Sequence, residues 1–142
     1  MDFPQKGNGL KIQKKKRSLN ILKKIVYLIS PKKISKSFYP VLKKVLSSNN
    51  VSFFQLRLKK TKKRKIINDA KKIRLITRKY KVKLIINDHA DIAKIVKADG
   101  CHLGQKDGNL KQSRKLLENK IIGVTCHNSR SLAKIAIDNK AD

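Results

Sequence analysis

Five short apolar segments recur along the chain, and each is followed by a stretch with helical periodicity. Short β-branched runs indicate buried strands, and apolar residues spaced three and four apart indicate amphipathic helices. The predicted strands begin near residues 25, 51, 82, 99 and 121, and the predicted helices cover about 38–46, 65–78, 90–97, 110–118 and 129–139. Because a helix separates each pair of strands, the strands are expected to be parallel, in a sheet buried on both faces.

The first two predicted elements carry specific expectations about burial. The run IVYLIS, Ile25 to Ser30, is closed by Pro31 and is typical of a buried strand. The next helix is expected to turn one apolar face toward the core. That face consists of Phe38, Val41, Leu42, Val45 and Leu46.

Two parallel architectures fit this order of elements. A doubly wound sheet usually carries a glycine-rich nucleotide motif after an early strand, and neither GxGxxG nor GxxxxGK[ST] occurs in the sequence. Polar residues instead follow several strands at their carboxyl ends, which is typical of a TIM barrel. We therefore predict an α/β protein in which residues 19–142 form about the first five βα units of a (β/α)8 barrel, preceded by a flexible basic arm over residues 1–18.

The net charge of +28 is concentrated in the first half of the chain, where residues 1–65 contain one acid. Such a surface attracts nucleic acid or anionic lipid at low salt. Most of the basic residues are lysines, however, and Ile and Asn are also abundant, as an AT-rich coding sequence would produce. We expect no specific nucleic-acid partner and no membrane partner. Without an apolar span or a signal peptide, the protein is expected to be cytoplasmic, with Cys101 and Cys126 reduced.

Three polar residues end the second strand on one side of the chain. Gln55, Arg57 and Lys59 alternate with apolar neighbours, so their side chains are expected to point the same way. A guanidinium and an ammonium at one spot suit a phosphate or diphosphate. The alternative is a solvent-exposed edge strand in a lysine-rich protein.

Carboxylates follow the third and fourth strands. Asn87 and Asp88 end one strand, and Asp107 follows HLGQ after the next. Mg²⁺ prefers one or two carboxylates together with water and substrate phosphate oxygens, so Asp88 and Asp107 are candidates for sharing one ion. The alternative is that each is a turn or helix-capping residue.

Two further residues, Thr125 and His127, lie near the same predicted rim, and His102 lies on the fourth predicted strand. Thr125 adds a hydroxyl at the end of the fifth strand. His127 is either an acid or base near the mouth or a cap of the next helix. His102 is more typical of a core histidine with its hydrogen bonds satisfied.

Four segments together resemble the thiamine-phosphate synthase family. They are QLRLK (Gln55 to Lys59), LIIND (Leu84 to Asp88), ADGCHLGQKD (Ala98 to Asp107) and IGVTCH (Ile122 to His127), in the family's order and spacing. The resemblance covers about Val26 to Asp142. It implies a barrel enzyme that joins hydroxymethylpyrimidine diphosphate to thiazole phosphate, giving thiamine phosphate and diphosphate.

The resemblance also implies roles for individual residues. The segment Gln55, Leu56, Arg57, Leu58 and Lys59, together with Asn87, would bind the pyrimidine diphosphate. Asp88 and Asp107 would hold Mg²⁺, and Thr125 would replace a serine that contacts the same substrate. The implied chemistry is dissociative, because diphosphate leaves first and the thiazole nitrogen captures the pyrimidine cation.

The family pattern continues beyond Asp142 into loops that hold the thiazole phosphate, so we expect this chain to be a fragment that does not turn over alone. Cys101 also replaces a usual aliphatic residue.

Two alternatives remain open. One is a thiazole tautomerase of the same fold, which tends to lack the intact pair of carboxylates, and the other is a basic nucleic-acid-binding protein.

Overall fold

The computed structural model describes residues 25–142, in which five strands alternate with five helices. The predicted basic arm over residues 1–18 lies outside the described residues. In chain order the elements are β1 (Val26–Ile29), α1 (Phe38–Leu46), β2 (Val51–Leu56), α2 (Lys63–Lys79), β3 (Lys83–Asn87), α3 (Ala90–Ile95), β4 (Gly100–Leu103), α4 (Leu110–Leu117), β5 (Ile121–Val124) and α5 (Arg130–Asp138). Every predicted element is present, and most end one or two residues earlier than predicted.

The strands form one parallel sheet in the order β1-β2-β3-β4-β5. Each helical connection therefore joins adjacent strands and moves in the same direction across the sheet. A doubly wound sheet would reverse its strand order partway, whereas a barrel adds strands in sequence. The sequential order confirms the predicted barrel-type α/β architecture over the described residues.

One face of the sheet is covered by the helices and forms the core. Alternate strand residues on this face are almost completely buried, among them Phe54, Leu56, Leu84, Ile86, Cys101, Leu103 and Ile122. Helix residues such as Leu46, Ile66, Ile73 and Ile92 pack against them. The buried aliphatic side chains account for the fold's main stabilisation, at roughly 1.5–3 kcal/mol for each one fully buried.

Two predictions about burial were wrong. Strand β1 was expected to be buried, but Val26, Tyr27 and Ile29 are 39%, 42% and 57% exposed. Among the described residues β1 pairs only with β2, and its inner-face side chains open toward a cleft. On α1 only Leu42 and Leu46 are buried. Val41 and Val45 are exposed, because one helical face that wide cannot lie entirely against the sheet.

Two aspartates each make the same pair of hydrogen bonds with the backbone of an earlier strand. Asp99 donates its N–H to the Leu84 carbonyl (2.9 Å), and its Oδ2 accepts from the Leu84 N–H (2.8 Å). Asp142 repeats both bonds with Ile122, each at 2.9 Å. The N–H of Ile122 and the adjacent Arg114 guanidinium, 2.6 Å away, hold the pKa of Asp142 below its usual range. These paired bonds attach the backbone at Asp99 to β3 and the backbone at Asp142 to β5.

No helix in residues 25–142 combines the length and apolar character that crossing a bilayer would require.

Candidate functional site

A cleft of about 320 Å³ opens at the carboxyl ends of the strands. It is lined by Tyr27, Ile29, Gln55, Arg57, Lys59, Asn87, Asp88, His102, Gly104, Asp107 and Thr125. All five strands or the loops that follow them contribute, because the carboxyl ends of parallel strands meet at one edge of a sheet. The predicted polar residues of four separate segments therefore share one site.

Alternation along β2 and the residues after it separates the polar from the apolar side chains. Gln55, Arg57 and Lys59 line the cleft, as predicted. Leu56 and Leu58 face the helices and are 1% and 6% exposed. Any contact of these two leucines with a ligand in the cleft is thus limited to their backbone atoms.

The carboxamide of Gln55 is held in place from β1. Gln55 is 3% exposed, and its Nε2 donates to the Tyr27 hydroxyl at 3.0 Å. The Tyr27 ring stacks on Phe53, with 5.4 Å between ring centroids. Burial raises the pKa of Tyr27, so the phenol stays neutral. The amide oxygen of Gln55 and the hydroxyl proton of Tyr27 remain available for a polar ligand.

The two carboxylates reach the cleft through local backbone geometry. Asp88 has φ 64°, in the left-handed region, and its N–H donates to the His102 carbonyl (2.8 Å). Seven other non-glycine residues in the described part of the chain also have a positive φ, and aspartate is among the residue types that adopt it most readily. Asp107 closes a turn by donating its N–H to the Gly104 carbonyl (3.2 Å). Neither aspartate caps a helix, since the N-cap positions of α3 and α4 are His89 and Asn109.

One ammonium lies between the two carboxylates. Lys59 Nζ is 3.6 Å from Asp88 Oδ2 and 3.5 Å from Asp107 Oδ2. The Asp88 side chain is 15% exposed and the Asp107 side chain 34%, so both remain open to the cleft. The structure thus brings the Lys59 ammonium group and both predicted metal ligands together.

The floor of the cleft carries neutral hydrogen-bonding groups. Asn87 is 8% exposed at the end of β3. Across the sheet, His102 Nε2 lies 2.8 Å from Thr125 Oγ1. Burial lowers the pKa of His102, which favours a neutral ring. The prediction of a core histidine was therefore wrong in one respect, because His102 lines the cleft and bonds another cleft residue.

Two residues singled out from the sequence, His127 and Cys101, lie outside the cleft. His127 is exposed and does not line the cleft, and the cap of α5 is Ser129, whose side chain accepts from Leu132 N (3.3 Å). Cys101 lies in the core, where burial raises the pKa of its thiol to about 12. Cys101 and Cys126 are both free, as predicted.

Four cleft residues were not predicted from the sequence, namely Tyr27, His102, Ile29 and Gly104. For Tyr27 and His102, the alternation of side chains along a strand was the available indication. Tyr27 pairs with Phe53 and His102 with Asn87, each on the same face as the predicted residues.

A larger cleft, about 650 Å³, lies at the opposite, amino-terminal edge of the sheet. Its lining consists of Asn49, Asn50, Val51, Ser52, Phe53, Lys79, Tyr80, Lys81 and Lys83. It contains three lysines but no carboxylate or histidine. This composition suits an anion, whereas the carboxylates and the imidazole that line a cleft lie at the carboxyl edge.

The carboxyl-edge cleft combines groups that suit a diphosphate with a divalent cation. Arg57 and Lys59 supply positive charge, Asn87 and Thr125 supply polar contacts, and two carboxylates stand beside them. Within residues 25–142 no cluster of three or more metal-ligating side chains occurs. A cation held here would therefore need ligand oxygens from substrate and water, which is the usual situation for Mg²⁺.

The same family name recurs among the models and proteins that this chain resembles. A family model described as thiamine monophosphate synthase matches residues 26–142. The thiamine-phosphate synthase of Pelagibacter ubique (strain HTCC1062) is 58% identical over 123 residues, which are 86% of this chain and 59% of that protein. The thiamine-phosphate synthase of Clostridioides difficile (strain 630) is 43% identical over 103 residues, covering 70% of this chain and 49% of its own length.

A solved structure shares the fold. Thiamine phosphate pyrophosphorylase from Pyrococcus furiosus superposes with a TM-score of 0.72 at 25% sequence identity, covering 84% of this chain and 57% of that one. The chain thus spans about half to three fifths of the length of these relatives.

Proposed function

The chain belongs to the thiamine monophosphate synthase family, and from that premise we propose that its cleft serves the coupling of hydroxymethylpyrimidine diphosphate to thiazole phosphate. The products are thiamine phosphate and diphosphate, and the reaction would take place in the cytoplasm. The observation that carries this proposal is the convergence of Arg57, Lys59, Asp88 and Asp107 in one cleft. The presence of both carboxylates supports a synthase over a tautomerase.

The cleft residues divide into two groups around the pyrimidine diphosphate. Arg57 and Lys59 would hold the diphosphate oxygens, Arg57 through its planar fork and Lys59 as a point charge. Gln55, fixed by Tyr27, would direct its amide oxygen toward the pyrimidine. Asn87 would add a contact at the floor, and Leu56 and Leu58 would contribute only backbone groups.

The proposed reaction needs charge neutralisation more than a strong base. The bond between the pyrimidine methylene carbon and the diphosphate oxygen breaks, and diphosphate leaves with the electron pair. The thiazole nitrogen then supplies its lone pair to the methylene carbon, forming the new C–N bond. Positive groups placed where negative charge develops lower the barrier to such a step. Arg57 and Lys59 are those groups in this chain.

The donor set fits Mg²⁺ as the accompanying ion. Asp88 and Asp107 already converge on one cationic atom, Lys59 Nζ, and hard carboxylate oxygens are the ligands that Mg²⁺ prefers. When bound, the ion would neutralise charge on the departing diphosphate. Lys59 would then be released from the carboxylates to contact the phosphate oxygens.

The proposal is tested by measuring the binding of hydroxymethylpyrimidine diphosphate to the chain with and without Mg²⁺, because the chain is not expected to turn over alone. Asp88→Asn should abolish the Mg²⁺ dependence of this binding. Asp91→Asn is the matched control, because Asp91 lies on α3 and pairs with Lys63 outside the cleft (2.7 Å). Binding that is indifferent to both Mg²⁺ and Asp88→Asn would refute the proposal.

A further inference from the structure

A histidine and a threonine on neighbouring strands form a hydrogen-bonded pair at the floor of the cleft. His102 lies on β4, and Thr125 follows β5 directly. The distance from Nε2 to Oγ1 is 2.8 Å, and both side chains are partly buried and line the cleft. The pair therefore stands where a bound diphosphate would meet the end of β5.

The position of the imidazole depends on a glycine in the next strand. His102 is paired in register with Gly123, and a Cβ added to Gly123 would lie 2.7 Å from His102 Nδ1. The ring thus occupies space that any other residue at 123 would fill. Because Nδ1 faces this glycine, Nε2 is directed along the sheet toward Thr125.

The direction of the hydrogen bond decides what Thr125 can do. A neutral imidazole carries one N–H, and a hydroxyl both accepts and donates. No residue in the described part of the chain accepts a hydrogen bond from Nδ1, whereas Nε2 has Thr125 within reach. A proton on Nε2 is therefore used in a hydrogen bond, and a proton on Nδ1 is not.

We propose that His102 is a positioning residue whose Nε2–H donates to Thr125 Oγ1, so that the Thr125 hydroxyl proton is directed into the cleft toward a diphosphate oxygen. This inference rests on the proposed function for the identity of the anion. With the opposite polarity Thr125 would give its proton to the ring and present only lone pairs to the phosphate. His102 then acts on the substrate through Thr125 and Gly123 keeps the ring in place.

The first test is the tautomer of His102 in the ligand-free chain, read from ¹⁵N NMR of the ring nitrogens at a pH where the ring is neutral. We expect the proton on Nε2. A proton on Nδ1 with a bare Nε2 would overturn the proposal, whatever the chain binds.

The second test uses a conservative pair of substitutions and calorimetric titration with inorganic diphosphate. The amide nitrogen of Gln is separated from Cβ by the same number of bonds as His Nε2, whereas that of Asn is one bond shorter. His102→Gln should therefore keep the affinity within about threefold, and His102→Asn should weaken it about tenfold. Equal affinities of the two variants would contradict a donor role at Nε2.

Two further variants separate positioning from independent action. Thr125→Val should weaken binding about tenfold, and adding His102→Asn to it should cause no further loss. Gly123→Ala should match His102→Asn, since the added Cβ displaces the ring, while Gly108→Ala should bind as wild type because its Cβ would make an ordinary 3.4 Å contact with Leu103.

A further loss in the double variant would show that His102 acts without Thr125 and would refute the proposal. Failure of the wild-type chain to bind diphosphate at all would count against the proposed function instead, and the tautomer measurement would still decide the direction of the hydrogen bond.

Discussion

Replacing Gly104 by alanine should remove Asp107 from the cleft without changing any charge. A Cβ built at Gly104 would overlap Oδ2 of Asp107, the oxygen that lies 3.5 Å from Lys59 Nζ. The Asp107 carboxylate can rotate away from the added Cβ at little cost in folding free energy, because its side chain is partly exposed. Gly104→Ala should therefore behave in binding like Asp107→Asn.

The expected magnitudes differ for stability and for binding. The Lys59–Asp107 pair is exposed at both ends, with side chains 46% and 34% accessible, so its loss should cost less than about 1 kcal/mol of unfolding free energy. A contact of a charged group with a ligand contributes about 2 kcal/mol, or about 30-fold in Kd. The variant should remain folded and bind Mg²⁺-diphosphate about 30-fold more weakly.

The assay is calorimetric titration of the chain with inorganic diphosphate, with and without Mg²⁺, alongside circular dichroism to confirm folding. Gly108→Ala is the matched control, since its Cβ meets only Leu103 at 3.4 Å. If Gly104→Ala stays folded and keeps the full gain in affinity from Mg²⁺, the Asp107 carboxylate is not used for the cation and the reasoning fails. If it unfolds, Asp107→Asn gives the same test.

Three other predictions follow from the same contacts. Lys59→Gln should weaken binding of Mg²⁺-free diphosphate about tenfold by calorimetry, whereas Lys83→Gln, at the opposite edge of the sheet, should change it less than threefold at 0.15 M salt. In thiol labelling at pH 8, Cys126 should react first, because the raised pKa and complete burial of Cys101 keep its thiol protonated and inaccessible until the chain unfolds; equal rates would refute this. Asp142→Asn should lower the free energy of unfolding by about 1 kcal/mol near neutral pH. Because the folded-state pKa of Asp142 is lowered, its contribution is present above the unfolded pKa and is lost as pH falls through the folded pKa, so the difference in Tm from wild type should vanish in strong acid.

The order and type of every element could be predicted from the sequence, because short strand-like segments alternate along the chain with stretches whose apolar residues repeat at helical spacing. Strand alternation also predicted that Gln55, Arg57 and Lys59 share a face, and the structure confirms it. Burial was harder to predict. Val41 and Val45 have the spacing of core residues, yet only neighbours in three dimensions decide which part of a helical face is covered.

The cross-strand contacts could not be predicted from the sequence. His102 is an ordinary residue on a strand until the register with β5 places it opposite Gly123 and beside Thr125. Likewise, the position of Lys59 between Asp88 and Asp107 joins segments almost 50 residues apart. Such contacts depend on sheet register and loop geometry, which residue types and spacing do not specify.

The most direct test of the central claim is to locate the bound pyrimidine diphosphate on the chain by NMR. The chain would be titrated with hydroxymethylpyrimidine diphosphate and Mg²⁺ at 0.15 M salt, and the backbone resonances followed. We expect saturable shifts at Arg57, Asn87 and Thr125 that weaken when Mg²⁺ is withdrawn. Shifts confined to the lysine-rich cleft around Lys81 and Lys83, unaffected by Mg²⁺ and lost with added salt, would contradict it.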